Sequence, residues 1–486
     1  MYDLTAIGAP RAGANLSIRK VTLGALVALG TVCLSLNPVY GTAIMAVGCV
    51  IAIAASTPSA RTVTATTVLL CVMPDSPTLF HISRLAITPR ILMLVLVGFQ
   101  WTFAVARGSI RARLSFRPVW TLYTVVVVIG AALNHRTQDI PLFLLLVLLP
   151  YAVGCSFGAN NELLRGVLRG VMVGSCLLGA IAILEFIRHK AFLAPVYDLS
   201  EYKRAGNLRA NAGWQHPLAL GMFLCLGVFI TVDAARRQGA VWAMAVALLI
   251  AGGIFATQER SPIIGLAAGG LVFMLLQSSA KARTKAAMSA VLIVLAVLAM
   301  PGSSGSSFRE FLSQSTQKGT AASADVTGRS ELLGLGIKAI AKRPLFGFGY
   351  GSGASISANP SLLPLLTRGH TFYTDIANWP LSIAIETGWL GLACIVAIFG
   401  GALTRLIRSR HVSGPLPVVP AAAGLVGAAV TSFGVAALPS SVLFMFVIGL
   451  FSSGCLASGS IIPRQMSQPA PEPQVKHTRT RASERV

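Results

Sequence analysis

The chain has 486 residues, 54% of them hydrophobic and 11% charged, with a formal net charge of +23. Its mean hydropathy is +0.73. Soluble chains carry about 25% charged residues, so the charges here are too few to cover a water-facing surface, and a set of soluble domains is excluded. Crossing the hydrocarbon core of a bilayer takes roughly 17–25 apolar residues in a helix. Runs of that kind begin near Val21, Tyr40, Ile91, Val119, Leu142, Gly170, Leu218, Val241, Pro262, Ala286, Leu381, Leu416 and Ser441. A shorter run from Val63 to Met73 is ambiguous. The pattern predicts an all-α polytopic membrane protein of about 12–14 transmembrane helices. Gly and Pro recur within these runs, which neighbouring helices tolerate in a membrane. The first run is followed at once by a second, so neither reads as a cleavable signal peptide.

The expected organisation has five parts: a cytoplasmic N-terminus over 1–20, a helical bundle over 21–300, a large extracytoplasmic loop over 301–380, the last three spans over 381–462, and a polar, Pro-containing tail over 463–486 whose composition predicts disorder. The eight cysteines are scattered, mostly in apolar runs, with no C-x-x-C pair. They read as small buried hydrophobes, supporting neither a disulfide frame nor a zinc site.

Positive charge collects in short segments between runs. These are Arg107, Arg111, Arg113 and Arg117; Arg165 and Arg169; Arg236 and Arg237; Lys281, Arg283 and Lys285; Arg405, Arg408 and Arg410; and the tail. Placing all of them in the cytoplasm satisfies the positive-inside rule. Charges that flank membrane spans argue for lipid contact and against nucleic acid. The alternation then puts 134–141, 188–215, the hinge 258–260 and 301–380 on the outer side. Within the last, Ser330 is a candidate cap for a surface helix, with Leu332, Leu333, Ile337 and Ile340 on one face and Lys338, Lys342 and Arg343 on the other.

Four outward clusters have residue types suited to chemistry. The first runs from Arg204 through Arg209 to Gly213-Trp214-Gln215-His216-Pro217; its plain reading is a basic segment meeting headgroups, with Trp214 as an interface anchor. The second is Thr257-Gln258-Glu259-Arg260-Ser261-Pro262. Its Arg sits at the membrane boundary, where ionisable residues tend to be functional; the alternative is a snorkelling Arg paired with Glu259. The third is Gly328-Arg329-Ser330, followed by a Gly-rich run from Pro344 through Gly347, Gly349 and Gly351 to Gly353. Its backbone N–H groups are candidates for cradling an anion, but neither a Rossmann nor a P-loop pattern is present. The fourth is Gly369-His370-Thr371-Phe372-Tyr373, with Glu386-Thr387-Gly388-Trp389-Leu390-Gly391 downstream. His370 has the near-neutral titration that proton transfer requires; the plain alternative is a solvated loop imidazole.

In order and spacing, these motifs resemble the O-antigen ligase and O-antigen polymerase superfamily from about Arg204 to Gly400. The resemblance implies an all-helical protein of the bacterial cytoplasmic (inner) membrane, with its active site facing outward. It implies transfer of a glycan from a polyprenyl-diphosphate carrier to an acceptor hydroxyl on a glycan or lipid, without metal, nucleotide sugar or other cofactor. By motif position, Arg260, Arg329 and, as a weaker match, Arg209 would hold the carrier diphosphate, and His370 would act at the acceptor. Two positions depart from the family pattern: Glu259 precedes the Arg where Ser is common, and Thr371 follows the His where Asn is common. They leave the subfamily open.

The residue types suit that chemistry. Arg offers a planar, permanently charged fork for phosphate oxygens, and stabilising charge on a leaving group is usually the largest catalytic term. His370 is the candidate base for the attacking hydroxyl. The outer acids, Asp198, Glu201, Asp325 and Asp375, are dispersed and include no Asp-x-Asp pair, so the expectation is inverting, metal-independent transfer. Ligase and polymerase differ only in the acceptor and stay open. A lipid-linked glycan transporter or flippase would favour midplane charges and internal repeats, which the sequence does not display. A non-catalytic export scaffold is the remaining class.

Overall fold

The computed structural model describes residues 58–74, 80–82, 85–191, 203–204, 207–214, 216–236, 239–277, 333–334, 336–352, 378–411, 416–433 and 438–459. The expected spans at Val21, Tyr40 and Ala286, both termini and most of 301–380 lie outside them. The described chain is helical: α1 Ala60–Val72, α2 Pro89–Ala106, α3 Arg117–Leu133, α4 Thr137–Gly158, α5 Asn161–Arg188, α6 Pro217–Arg236, α7 Ala240–Ala256, α8 Arg260–Leu276, α9 Trp379–Arg408, α10 Val418–Ser432 and α11 Leu438–Gly459. Two hairpins of very short strands interrupt it, β1 Phe80–Ile82 with β2 Leu85–Ile87, and β3 Lys203–Arg204 with β4 Asn207–Leu208. Among the described residues, α2, α4, α5, α9 and Pro217–Ala235 of α6 are long and apolar enough to cross a membrane, and six shorter apolar helices accompany them.

The run Val63 to Met73 resolves as a helix. Ser59 caps α1 through a capping box with Thr62. At about 1.5 Å per residue its length falls short of a 30 Å core, and it packs along α5 instead. A Cβ added to Gly166, Gly170 or Gly174 would stand 2.6 Å from Ala60 O, 2.5 Å from Thr67 Cβ and 2.8 Å from Cys71 Cβ respectively. A glycine every fourth residue therefore lets the two backbones meet. The span expected from Gly170 in fact begins at Asn161, where the Asn160 side chain accepts from the N–H groups of Glu162 and Leu163. Arg165 and Arg169, expected in a basic loop, are instead exposed residues of that helix's opening turns. Four residues apart, they share one face, and the apolar period reads straight through them.

Contacts at the helix ends fix which connections lie together. At one end, Ser115 Oγ meets Ser453 Oγ at 2.8 Å, Tyr151 OH donates to Ser115 O, and Arg405 donates to Ser452 O while lying over the Phe116 ring. At the other end, Arg90 Nε donates to Met73 O, Ala210 N to Ala256 O, and Asn134 Nδ2 to Gly347 O. The basic segments at 107–117 and 405–410 thus occupy one end, and 134–136, 209–214, 257–259 and 343–352 the other.

The tightest described pair is α4 with α11. An added Cβ on Gly154 would overlap Phe446 O, one on Gly158 would overlap Leu450 O, and one on Gly449 would overlap Tyr151 O. Gly154→Ala is accordingly expected to lower the thermal stability of the detergent-purified protein by several degrees. Gly270→Ala, where an added Cβ meets nothing within 4 Å, should leave it unchanged. Equal melting temperatures for the two variants would contradict this packing.

Candidate active site

The end of the bundle opposite the basic segments carries the break between α7 and α8, the segment 209–214 and the Gly-rich turn. α7 stops at Ala256 because Thr257 Oγ1 turns back to Ile254 O at 2.7 Å and Gln258 takes a left-handed φ of 53°. Glu259 follows at the N-cap of α8, buried, and Arg260 is that helix's first residue, half-buried. The segment 209–214 lies directly against this hinge. Ala210 N donates to Ala256 O at 3.0 Å, and the Arg209 guanidinium forms an ion pair with Glu259. Two clusters separated by about 50 residues in sequence are therefore one structure, with Arg209, Glu259 and Arg260 adjoining.

The placement of three residues bears on the sequence reading. Glu259, read as a possible partner of Arg260, is paired with Arg209. Arg209, the weakest of the three carrier-binding candidates by sequence, is built into the hinge with a side chain only 16% exposed. Trp214, read as an interface anchor, is fully buried, with the Arg90 guanidinium 3.8 Å from its ring centroid. Arg90 also donates to Met73 O and Cys71 O.

The Gly-rich run forms a turn docked on a kink in α9. Gly388 breaks that helix with φ 69° and ψ −175°. The carbonyls exposed by the break accept Phe348 N at Ile385 O (2.8 Å) and Gly349 N at Glu386 O (2.9 Å), while Trp389 N donates to Pro344 O at 2.7 Å. Gly347 N and Ser352 N also find protein carbonyls, those of Arg343 and Gly349. An anion cradle built from these N–H groups is thereby overturned: their partners are carbonyl oxygens of the chain itself. The turn is instead a brace joining the Pro344–Ser352 motif to Glu386-Thr387-Gly388. Asn134 fastens it to α3 through Gly347 O at 3.2 Å, and the Arg136–Asp139 ion pair, 2.7 Å, lies beside it. Burial, with Glu386, Tyr123 and Asp139 near, pushes the Tyr350 hydroxyl well above its ordinary pKa, so it stays protonated.

The helix over 336–342 precedes the turn. Ala339 and Ile340 pack on Phe348, Ala384 and Ile385, while Leu333 and Ile337 remain exposed alongside Lys338 and Lys342. A helix stands where the sequence predicts one, but the expected apolar face is divided, with Ile340 turned to protein and Leu333 and Ile337 exposed beside the basic residues; Ser330 and Leu332 lie outside the described residues. Arg329 and His370 lie outside the described residues.

Sequence reading missed Glu185. This carboxylate near the end of α5 is fully buried and accepts from Asn211 N at 3.1 Å and Ala212 N at 2.8 Å through the same oxygen. The signal was present: a lone acid in Ala180-Ile-Ala-Ile-Leu-Glu-Phe-Ile187, where an ionisable group is costly and marks function.

Apolar helices packed through glycine, with charged and irregular backbone gathered at the ends, define a multi-pass α-helical membrane protein. Residues 244–396 match the family model described as O-antigen ligase. The matched stretch holds the hinge with Glu259 and Arg260, the docked turn and the α9 kink. No curated protein matches the chain.

At Gly388 an L side chain would face both a left-handed φ and overlap with Leu345 O. Gly388→Ala is expected to undock the turn, with a conformational penalty alone of about 1–2 kcal/mol. Limited proteolysis with trypsin should cut more readily after Lys342 than in the parent protein. An unchanged cleavage pattern would count against the brace.

Proposed function

We propose that this protein is an integral-membrane glycosyltransferase that moves a glycan from a polyprenyl-diphosphate carrier to an acceptor hydroxyl at the membrane surface, by inversion and without a metal. The family match over 244–396 supports the class of reaction. The observation that carries the site is the placement of Arg260. A helix N-terminus already bears about half a positive charge, so a cation there is unfavourable for the helix by roughly 0.3–1 kcal/mol. Here an Arg occupies the first position of α8 and a second Arg is held next to it by Glu259. Positive charge concentrated where the backbone is itself positive suits a diphosphate.

In this reading Arg260 and Arg329 grip the departing diphosphate through bidentate contacts, and Arg209 adds charge from the neighbouring loop. Glu259 orients Arg209 and keeps the net charge of the cluster from rising further. His370 removes the proton of the acceptor hydroxyl as it attacks the anomeric carbon. The new glycosidic bond forms as the bond to the carrier breaks, and the electron pair leaves on the diphosphate. The site faces outward across a bacterial inner membrane, because the basic segments collect at the opposite end of the bundle. A polymerase of the same superfamily, with a second lipid-linked glycan as acceptor, is the alternative.

The test is turnover by the purified protein in liposomes containing a polyprenyl-diphosphate-linked oligosaccharide and candidate acceptors. Arg260→Lys and Arg329→Lys each keep a charge but lose the fork, and each should reduce turnover about tenfold or more. Near-normal rates for both would mean these arginines only meet headgroups.

His370→Ala should reach the membrane and bind carrier, yet turn over about 10²-fold or more slowly. Loss of abundance or of carrier binding in parallel with rate would mark a structural imidazole instead. Gene deletion separates the two acceptors: accumulated short carrier-linked units indicate a polymerase, accumulated long unattached chains a ligase.

A further inference from the structure

The segment that carries Arg209 has an unusual backbone. Ala212 and Gly213 take consecutive positive φ angles of 46° and 78°, and a non-Gly residue in that region is strained. Successive N–H groups in an αR–αL or turn conformation form a shared concavity that attracts an anion. Here the anion comes from the protein. One oxygen of Glu185 accepts both Asn211 N and Ala212 N, while the Asn211 side chain accepts Gly213 N at 3.3 Å. Glu185 is 0% exposed and Ala212 is equally covered. On one flank Ala210 N is tied to Ala256 O, and on the other Trp214 lies under the Arg90 guanidinium at 3.8 Å.

We infer that Glu185 is a positioning residue: its carboxylate fills the backbone nest at Asn211–Ala212 and thereby holds Arg209 against the Glu259–Arg260 hinge. The inference rests on the carrier-binding role given above to Arg209, and it assigns a role to a residue of α5 that lies outside both the family match and the sequence motifs. The geometry explains why an acid is tolerated in an apolar helix. A buried carboxylate is expensive unless it is hydrogen-bonded, and two otherwise unsatisfied amides supply donors. It also explains how the Ala212 strain persists, since a charge-assisted pair of hydrogen bonds outweighs it. Arg209 is two residues from Asn211, so a loosened nest transmits directly to its guanidinium. A misplacement of about 1 Å at such a group is enough to reduce rate about 10²-fold.

Because both amides use one oxygen, Glu185→Gln can present its carbonyl to both, whereas Glu185→Ala cannot. Hydrogen–deuterium exchange on the detergent-purified protein should show faster exchange of the peptide spanning 210–214 in Glu185→Ala and near-parental exchange in Glu185→Gln. In the liposome assay, Glu185→Ala should lose about 10–10²-fold in kcat/KM, with Gln retaining most of it. Arg209→Ala should lose a similar amount, and the double variant Glu185→Ala/Arg209→Ala no more than either single one, since both remove one interaction. Unchanged exchange in Glu185→Ala overturns the clamp. A Gln variant as slow as the Ala variant, with parental exchange, overturns positioning in favour of direct proton transfer by the carboxylate. Additive losses in the double variant overturn action through Arg209. Normal turnover by Arg209→Ala beside faster exchange in Glu185→Ala would instead leave the clamp standing and remove the carrier-binding reading.

Discussion

Hydrocarbon offers no partner for a backbone N–H or C=O, so a chain in a bilayer must close every such bond within itself. That constraint orders this structure. Where the chain is helical the bonds close locally, and helices then approach through glycine because lipid supplies no hydrophobic push between them. The stripes Gly166, Gly170, Gly174 on α5 and Gly154, Gly158 on α4 are the result. Among the described residues, groups freed where the chain departs from helix meet specific partners: Thr257 Oγ1 on Ile254 O, Ala256 O on Ala210 N, Glu185 on the amides of Asn211 and Ala212, and the carbonyls of Ile385 and Glu386 on the docked turn.

The candidate site follows from that rule. Irregular backbone is tolerated only where protein or water covers it, and it is also the only backbone able to present charged side chains from several helices to one point. The hinge before α8, the loop before α6 and the turn against α9 all lie at one end of the bundle. Arg209, Glu259 and Arg260 share it because three interruptions of helix share it. The acids there are buried and engaged with the chain, as Glu185 and Glu259 are, and in the Arg209–Glu259 pair the guanidinium is the more exposed partner.

The helical class and the grouping of the described helix ends were legible in the sequence, because a period of apolar residues reports on burial and the positions of Arg mark which ends lie together. Boundaries were less so. The start of α5 was placed nine residues late since Arg165 and Arg169 imitate a loop, although four-residue spacing puts both on one exposed face. The Arg260 hinge was legible from an ionisable residue between apolar runs with almost no linker. The union of Arg209 with Glu259 was not, because pairing across about 50 residues depends on how α5, α6 and α7 pack. The Gly-rich turn misled for a related reason. Glycines at 347, 349 and 351 do mark positive φ, but sequence cannot tell an exterior anion from an interior carbonyl as the partner of the N–H groups they free.

The same ambiguity, settled the other way, gives Glu185 its meaning. Among the described residues at this end of the molecule, protein oxygens fill two backbone concavities: carbonyls of α9 for Phe348 N and Gly349 N of the turn, a carboxylate of α5 for the nest at 211–212. With these described backbone donors engaged internally, the anionic substrate is assigned in the proposed reading to side chains, and to guanidinium groups above all. A carrier diphosphate would then be read by forks that can adjust to a lipid-anchored ligand arriving from the membrane plane, with rigid backbone behind them setting where each fork begins. Rigidity and adaptability are divided between main chain and side chain, and Glu185, Glu259 and Arg90 are the residues at which that division is enforced.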